Sequence, residues 1–414
     1  MPVPDQPESS RWSHAWDETE GKTRAWNLLR DTFGESAERE LSAPGMVTII
    51  GDHTDYNHGL TLPTVLAHRA YVAAVARTDS QVRIVCDDGD ALPGPGAAWF
   101  GDIDDLRPGE ITGWPARPAS VFWALQERGF SGTGMSIAIT SCVPRRGGMS
   151  SSAALSAAIA LTANEVWGLA LDTAEGRVEL AEACVEGEAA FVEPAEGGAP
   201  SGGLDLHASL RCLPGEAMLL DFQQSPPEAL HTPMYFPEYG LALLWIDTLV
   251  RPASNGEVAA ARRAECAAAA RELGVASLRE LENLPMPLRA IEHLSDPVLR
   301  RRARHVLHEN DRVRLVLGEL AGTGPAHERF VGIGKAMFRS HASLDLDFDL
   351  SSELLNMTVD TAFEAGALGA HLTGWGRGGA ILALVRRAEI RRISDAVDAA
   401  YAARELPLPH YAVL

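Results

Sequence analysis

No two of the five cysteines form a CxxC pair; Cys86, Cys142, Cys184, Cys212 and Cys266 are scattered along 414 residues. An odd, dispersed set argues against a disulfide scaffold and a structural zinc site, and for free thiols in a reducing, cytoplasmic compartment. Basic charge is also scarce. Lysine and arginine number 36 against 56 aspartates and glutamates, a formal net charge of −20, which argues against nucleic acid and anionic membranes as partners. A nucleotide is still allowed, because backbone N–H groups and a metal ion hold phosphates without a basic surface. Long apolar runs are missing too. The window at residues 153–170 is broken by Asn164 and Glu165, so no segment is expected to span a membrane. The opening MPVPDQPESS lacks a basic stretch followed by an apolar one. Residues 1–12 therefore read as a loose leader, not a signal peptide.

What is present is a globular composition, 46% hydrophobic and 22% charged, in a chain too long for one ordinary core. Helical spacing covers residues 13–33. MVTIIGDHTDY begins as a β-branched strand and breaks at Gly51 into a polar turn, and TLPTVLAHRAYVAAVAR and QVRIVCDD continue as strands. Residues 93–96 read as a turn, 119–128 as a helix and 134–140 as a strand. A glycine- and serine-rich loop and a long alanine-rich helix follow, then a helix at 172–192. EAMLLDF and GLALLWIDT read as strands, residues 257–320 as helices, and a last helix is expected near 350–365. A Gly-Pro cluster at residues 213–235 places the boundary between domains 13–220 and 221–414. Strands and helices mix without regular alternation, which predicts an α+β fold.

The most informative stretch is VPRRGGMSSSAAL, residues 143–155, between a strand and the alanine-rich helix. Two glycines let the backbone bend close to a ligand. Ser150, Ser151 and Ser152 stand where unpaired N–H groups and the helix dipole favour an anion. By itself the run is equally an N-cap on a buried helix, and it is not a Walker A loop, since no GK[ST] follows.

Three segments in order carry a resemblance. APGMVTIIGDHTDYNHG at 43–59, the loop at 143–155 and GAHLTGWGRGG at 369–379 are similar to the three motifs of the GHMP kinases, and the first is similar to that of galactokinases. SGGLDLHASL at 201–210 resembles the segment bearing the family's catalytic aspartate. WPARPASVFWAL, RRARHVLHEN and SHASLDLDFDLSSELL are further echoes.

The resemblance implies a two-domain GHMP kinase fold, ribosomal-protein-S5-like then ferredoxin-like, with the active site in the cleft. It implies ATP and Mg²⁺, and a sugar or other small polyol as acceptor, galactose first, in a monomer or weak homodimer. Pro144, Gly147, Gly148, Met149, Ser150, Ser151, Ser152 and Ala153 would wrap the triphosphate, with Trp114 near the adenine. Ser151 or Ser152 and Glu188 would hold the metal, with Glu186 and Glu193 as close competitors. Asp52, His53, Asp55 and Gly203 would meet the sugar, and Asp205 would act on the acceptor hydroxyl. The residues themselves leave other roles open. Asp205 is also a plausible helix cap, Glu188 a solvated carboxylate, and the Asp-His-Thr-Asp run a bare turn or a metal ligand set.

Four positions depart from the family pattern. Met46 replaces the arginine that stands beside the catalytic aspartate. Arg146, after Arg145, replaces a loop glycine. Val258 takes the place of a sugar-contacting tyrosine, and Leu206 with His207 follows Asp205 where glutamine is usual. Two outcomes follow: a kinase with an altered acceptor, or a protein that binds ATP and sugar as a sensor. A regulatory protein whose glycine loops are only turns is a third.

Overall fold

The computed structural model describes residues 11–87, 97–145, 147–192, 202–250, 255–374 and 379–414. The turn expected at 93–96, Arg146, Glu193, Ser201 and residues 375–378 lie outside them. Helix α1 (Glu18–Phe33) begins later than residue 13, because Asp17 caps it by accepting the Glu20 N–H at 2.8 Å. Arg11 and Trp12 do not belong to a loose leader. Trp12 is 6% exposed and stacks on Tyr411 with ring centroids 4.9 Å apart.

The first sheet holds β1 (Arg39–Ile50), β2 (Leu60–Ala76), β3 (Gln81–Asp87), β4 (Ala97–Asp102), β5 (Met135–Ser141), β6 (Glu216–Asp221) and β7 (Glu228–Pro233). Its order is β4-β3-β5-β2-β6-β7, with β1 along the other edge of β2. All pairs are antiparallel except β3 with β5. The 17 residues of β2 let it serve β5 over its second half and β6 over its first. Both β1 and β2 are nearly continuous in burial, so they lack a clean alternating pattern. Helices α2 (Ala116–Glu127), α3 (Ser151–Trp167), α4 (Ala174–Phe191) and α5 (Leu204–Arg211) accompany this sheet. Because β7 pairs with β6, a division at 220/221 would split a hairpin.

The second sheet, all antiparallel, has the order β11-β8-β10-β9: β8 (Leu241–Asp247), β9 (Gly369–Thr373), β10 (Ala380–Arg386) and β11 (His410–Val413). With it come α6 (Asn255–Leu273), α7 (Pro287–Glu292), α8 (Pro297–Ala321), α9 (Ala326–Leu346), α10 (Glu353–Glu364) and α11 (Ile390–Ala402). The helix expected last is α10; the amphipathic α11 follows it.

Two large apolar cores result, and α8 runs through both. Ala303, Val306 and Leu307 lie in the core of the second sheet, whereas Val313, Val316 and Leu320 lie in that of the first. Helix α9 returns alongside, with Ile333 and Met337 in the first core and Leu344 in the second. Among the described residues, no helix is long and apolar enough to cross a membrane.

Candidate active site

The polar turn after β1 is a closed knot. The Thr54 hydroxyl shares its one proton between the carbonyls of Gly51 and Leu60, at 2.9 and 2.6 Å, so one side chain ties both ends. Gly59 N–H bonds back to Thr54 O at 2.8 Å, and Asn57 donates its side-chain amide to His53 O at 3.0 Å. His53 and His58 both sit in the left-handed region, at φ 65° and 59°. Such strain persists where surroundings over-determine it, and it clusters at ligand sites. The knot buries Asp52, His53 and Asp55 almost completely.

Their neighbours tune these three side chains differently. Asp52 lies 3.3 Å from the fully buried His371 of β9, Oδ2 to Nδ1. Burial pushes the Asp52 carboxyl up and His371 partly offsets this. His53 is driven down to about 3 by burial, then by His305 and Arg263, so the ring is neutral. Asp55 Oδ2 accepts the Gly202 N–H at 3.1 Å, and burial raises its carboxyl above the ordinary value.

That last bond joins the knot to the helix carrying Asp205. A Cβ at Gly202 would stand 2.7 Å from Asp55, so glycine is what allows the approach. Gly203 follows at φ 79°, with Val185 only 2.4 Å from where its Cβ would be, and starts α5. Asp205, in the first turn of α5, is raised to about 7 by burial and by the charge of Glu188, while Arg117 pulls it down. Arg117 on α2 holds Glu188 on α4 at 2.5 Å. Glu186 is drawn to Arg128 at 2.8 Å.

The loop after β5 meets the ends of both sheets. Gly148, at φ 74°, packs so closely on Thr373 that a Cβ would stand 2.9 Å from its carbonyl carbon and oxygen. Trp245 of β8 donates its indole N–H to Gly147 O at 2.6 Å. Met149 is buried, and its carbonyl accepts the Met46 N–H at 3.1 Å. The first, second and third glycine-rich segments thus touch one another. Pro144, Arg145, Ser151 and Ser152 are half-buried and Ala153 is buried.

Ser150 precedes α3 but makes no capping bond with its side chain; at φ 54° it turns its hydroxyl 3.1 Å from Met46 Sδ. This removes the plain serine-cap reading. The first-turn N–H groups of α3 keep their capacity for an anion.

Met46 itself packs with Val65, Ala208, Met218 and Phe222. Leu206 lies in the first core, and His207 is bonded to Glu182 and Arg211, each at 3.0 Å, so both face inward. Val258 packs on the second core, as does Tyr56. Trp114 packs against the first core from α2's approach.

Arg117, His371, His305, Glu309 and Asn310 were not singled out by sequence reasoning. Arg117 lies inside WPARPASVFWAL, His371 at a variable position of the third motif, and the others inside RRARHVLHEN.

Serine hydroxyls at the start of α3 and the Glu188 carboxylate are hard oxygen donors of the kind Mg²⁺ takes. Among the described residues, no three His, Cys, Asp or Glu side chains are grouped to hold a metal alone.

Two lobes, a helix N-terminus behind a glycine loop and a carboxylate beside a polar knot define a GHMP kinase. Models of the GHMP kinase N-terminal and C-terminal domains match residues 117–211 and 324–403, and that of the galactokinase galactose-binding signature matches residues 27–76. The galactokinase of Streptomyces coelicolor is 37% identical over 382 residues, 92% of this chain and 93% of its own. That of Mycobacterium tuberculosis strain H37Rv is 36% identical over 357 residues, 86% and 91%. The chain belongs to the galactokinase family. Its fold matches the Lactococcus lactis galactokinase complexed with galactose at a TM-score of 0.81, with 23% identity over 94% of this chain and 96% of that one.

Proposed function

We propose that the protein transfers the γ-phosphoryl group of ATP to the anomeric hydroxyl of galactose. The observation that carries this is the Gly202–Asp55 bond, which ties the acceptor knot to the residue just before the N-cap of the helix holding Asp205. Asp52, His53 and Asp55 bind the sugar: carboxyl oxygens accept from its hydroxyls, and the neutral His53 ring, whose Nδ1 is bonded to Tyr56 OH, offers Nε2. Pro144, residues 147–153 and Trp114 take the nucleotide, with the N–H groups of α3 facing the phosphates. Ser151 or Ser152 and Glu188 would hold Mg²⁺, which neutralises charge on the β- and γ-oxygens when bound.

Asp205 takes the proton from the acceptor hydroxyl. The oxygen so freed forms a bond to the γ-phosphorus, the bond from that phosphorus to the β–γ bridging oxygen breaks, and ADP leaves. Positioning supplies most of the acceleration. Arg117 provides positive charge near Asp205 that Met46 does not, which favours an active enzyme over a sensor.

The test is acceptor-dependent ADP release with Mg²⁺ over a panel of sugars and alcohols. Galactose is expected to head the panel. ATP binding without turnover on any acceptor overturns the assignment, and another sugar at the head replaces galactose.

A further inference from the structure

The acceptor knot is held from outside as well as by Thr54, and the outside holder is α8. Glu309 Oε1 accepts the Gly51 N–H at 3.0 Å, where β1 enters the knot. Asn310 Oδ1 accepts the Leu60 N–H at 2.9 Å, where β2 leaves it. His305 Nε2 donates to the carbonyl of Asp52 at 3.1 Å. The two ends of residues 51–60 are thus gripped by side chains more than 240 positions away. His305 and Glu309 are one helical turn apart and share a face, with Asn310 beside it.

All three side chains are completely buried. Each is in turn held. Ser340 of α9 donates to Glu309 Oε1 at 2.7 Å, and Arg312 donates to Oε2 at 2.7 Å. Ser343 of α9 lies 2.9 Å from His305 Nδ1, and Asn310 donates its amide to Glu282 at 2.8 Å. Burial would raise the Glu309 carboxyl, yet Arg312, His305, Ser340 and the Gly51 N–H bring it down to about 2. Burial takes His305 down to about 4. At neutral pH the grip is therefore a carboxylate and a neutral ring. It lies where α8 passes from the second core to the first.

A buried polar layer costs more than an apolar one unless it secures a particular geometry. Thr54 already closes the knot on itself, so closure is not what the layer adds. What α8 adds is the placement of the closed knot against both cores. We infer that His305, Glu309 and Asn310 are positioning residues that register the acceptor-binding turn, setting where Asp52, His53 and Asp55 stand relative to Asp205. This rests on the acceptor reading proposed above.

The experiment compares steady-state kinetics of the wild type with Asn310→Ala, Asn310→Asp and Glu309→Gln, varying galactose and ATP separately. Asn310→Ala leaves the Leu60 N–H without its acceptor, a loss that predicts a rise of about tenfold or more in the galactose KM. The ATP KM is expected to stay within about twofold, since among the described residues the grip's bonds go to the knot and not to the loop before α3. Asn310→Asp keeps the Oδ1 acceptor for Leu60 but loses the amide that bonds Glu282, so its galactose KM is expected to fall between those of wild type and Asn310→Ala. A purely structural role lowers the active fraction, read as kcat, and leaves the KM values unchanged.

That pattern, or an equal rise in both KM values, overturns the inference. If Asn310→Ala does not fold, Glu309→Gln and Asn310→Asp decide by the same criterion. A wild type without acceptor-dependent turnover condemns the functional reading instead; an active wild type with unaltered variants condemns only this one.

Discussion

Arg117 and Glu188 form an ion pair 2.5 Å long between α2 and α4, and the two charges act on Asp205 in opposite senses. Each side chain of the pair is about a fifth exposed, so it is shielded from water but not sealed. In a galactokinase-like site whose usual arginine is Met46, this guanidinium is the cation that opposes burial and Glu188 at Asp205.

Arg117→Gln therefore has a signed pH effect. Removing the cation leaves burial and Glu188 unopposed, so the Asp205 carboxyl rises, and the base form is reached only at higher pH. The acidic limb of the kcat/KM profile is expected to move upward by about one pH unit. Profiles of wild type and variant at one Mg²⁺ concentration check it. A limb that stays in place removes Arg117 from the account.

Met46→Arg, which restores the family's residue, is expected to destabilise this chain rather than improve it. Met46 is 2% exposed among Met218, Val65 and Phe222. A charge placed there without a partner costs at least about 1–3 kcal/mol. Denaturant unfolding should show a lower midpoint, and galactose turnover should not rise. A gain in turnover would mean that the guanidinium reaches the cleft past the apolar cluster.

Gly148→Ala should act on the nucleotide side alone. Its φ of 74° and the 2.9 Å approach to Thr373 leave no room for a methyl group. The left-handed backbone adds about 1–2 kcal/mol for a residue with a Cβ. A higher ATP KM with the galactose KM preserved is the expected kinetic signature.

Acid should loosen the joint between the cores. His305 is held near 4 in the fold against 6.5 ordinarily, so the unfolded chain binds its proton first. Its contribution is complete above pH 6.5 and is lost as pH falls toward 4, roughly 3 kcal/mol in all. His53, near 3, adds to the same decline. Glu309, near 2 against 4.5, withdraws its share only between those values. The raised Asp52, Asp55 and Asp205 carboxyls gain stability over the same range, so the effect is read as a difference. The midpoint lost in His305→Gln should be constant above pH 6.5 and shrink as pH falls to 5, and an unchanging gap would contradict this.

Much of the site was legible because its motifs are local. The strand-to-turn passage at Gly51, the loop after β5 and the glycine at 203 each owe their form to a few consecutive residues. What was not legible depends on distance in sequence. Arg117 reads as one residue in a Trp-Pro stretch until α4 brings Glu188 to it. Asn310 lies within an arginine-rich helix, and only the fold places Leu60 opposite. Fold class followed from the mixed elements. The Pro and Gly residues around the β6–β7 hairpin resemble a linker, and the amphipathic α11 lies beyond the last glycine-rich motif.

The most direct test of the central claim is phosphoryl transfer to galactose by wild type and Asp205→Asn, with the product examined by ³¹P NMR. The asparagine retains size and hydrogen bonding but not the base. The account predicts a phosphate on the anomeric oxygen, and a fall in kcat of about 10²-fold or more in the variant with the ATP KM preserved. Equal rates in the two proteins, or a phosphate on another hydroxyl, would contradict it.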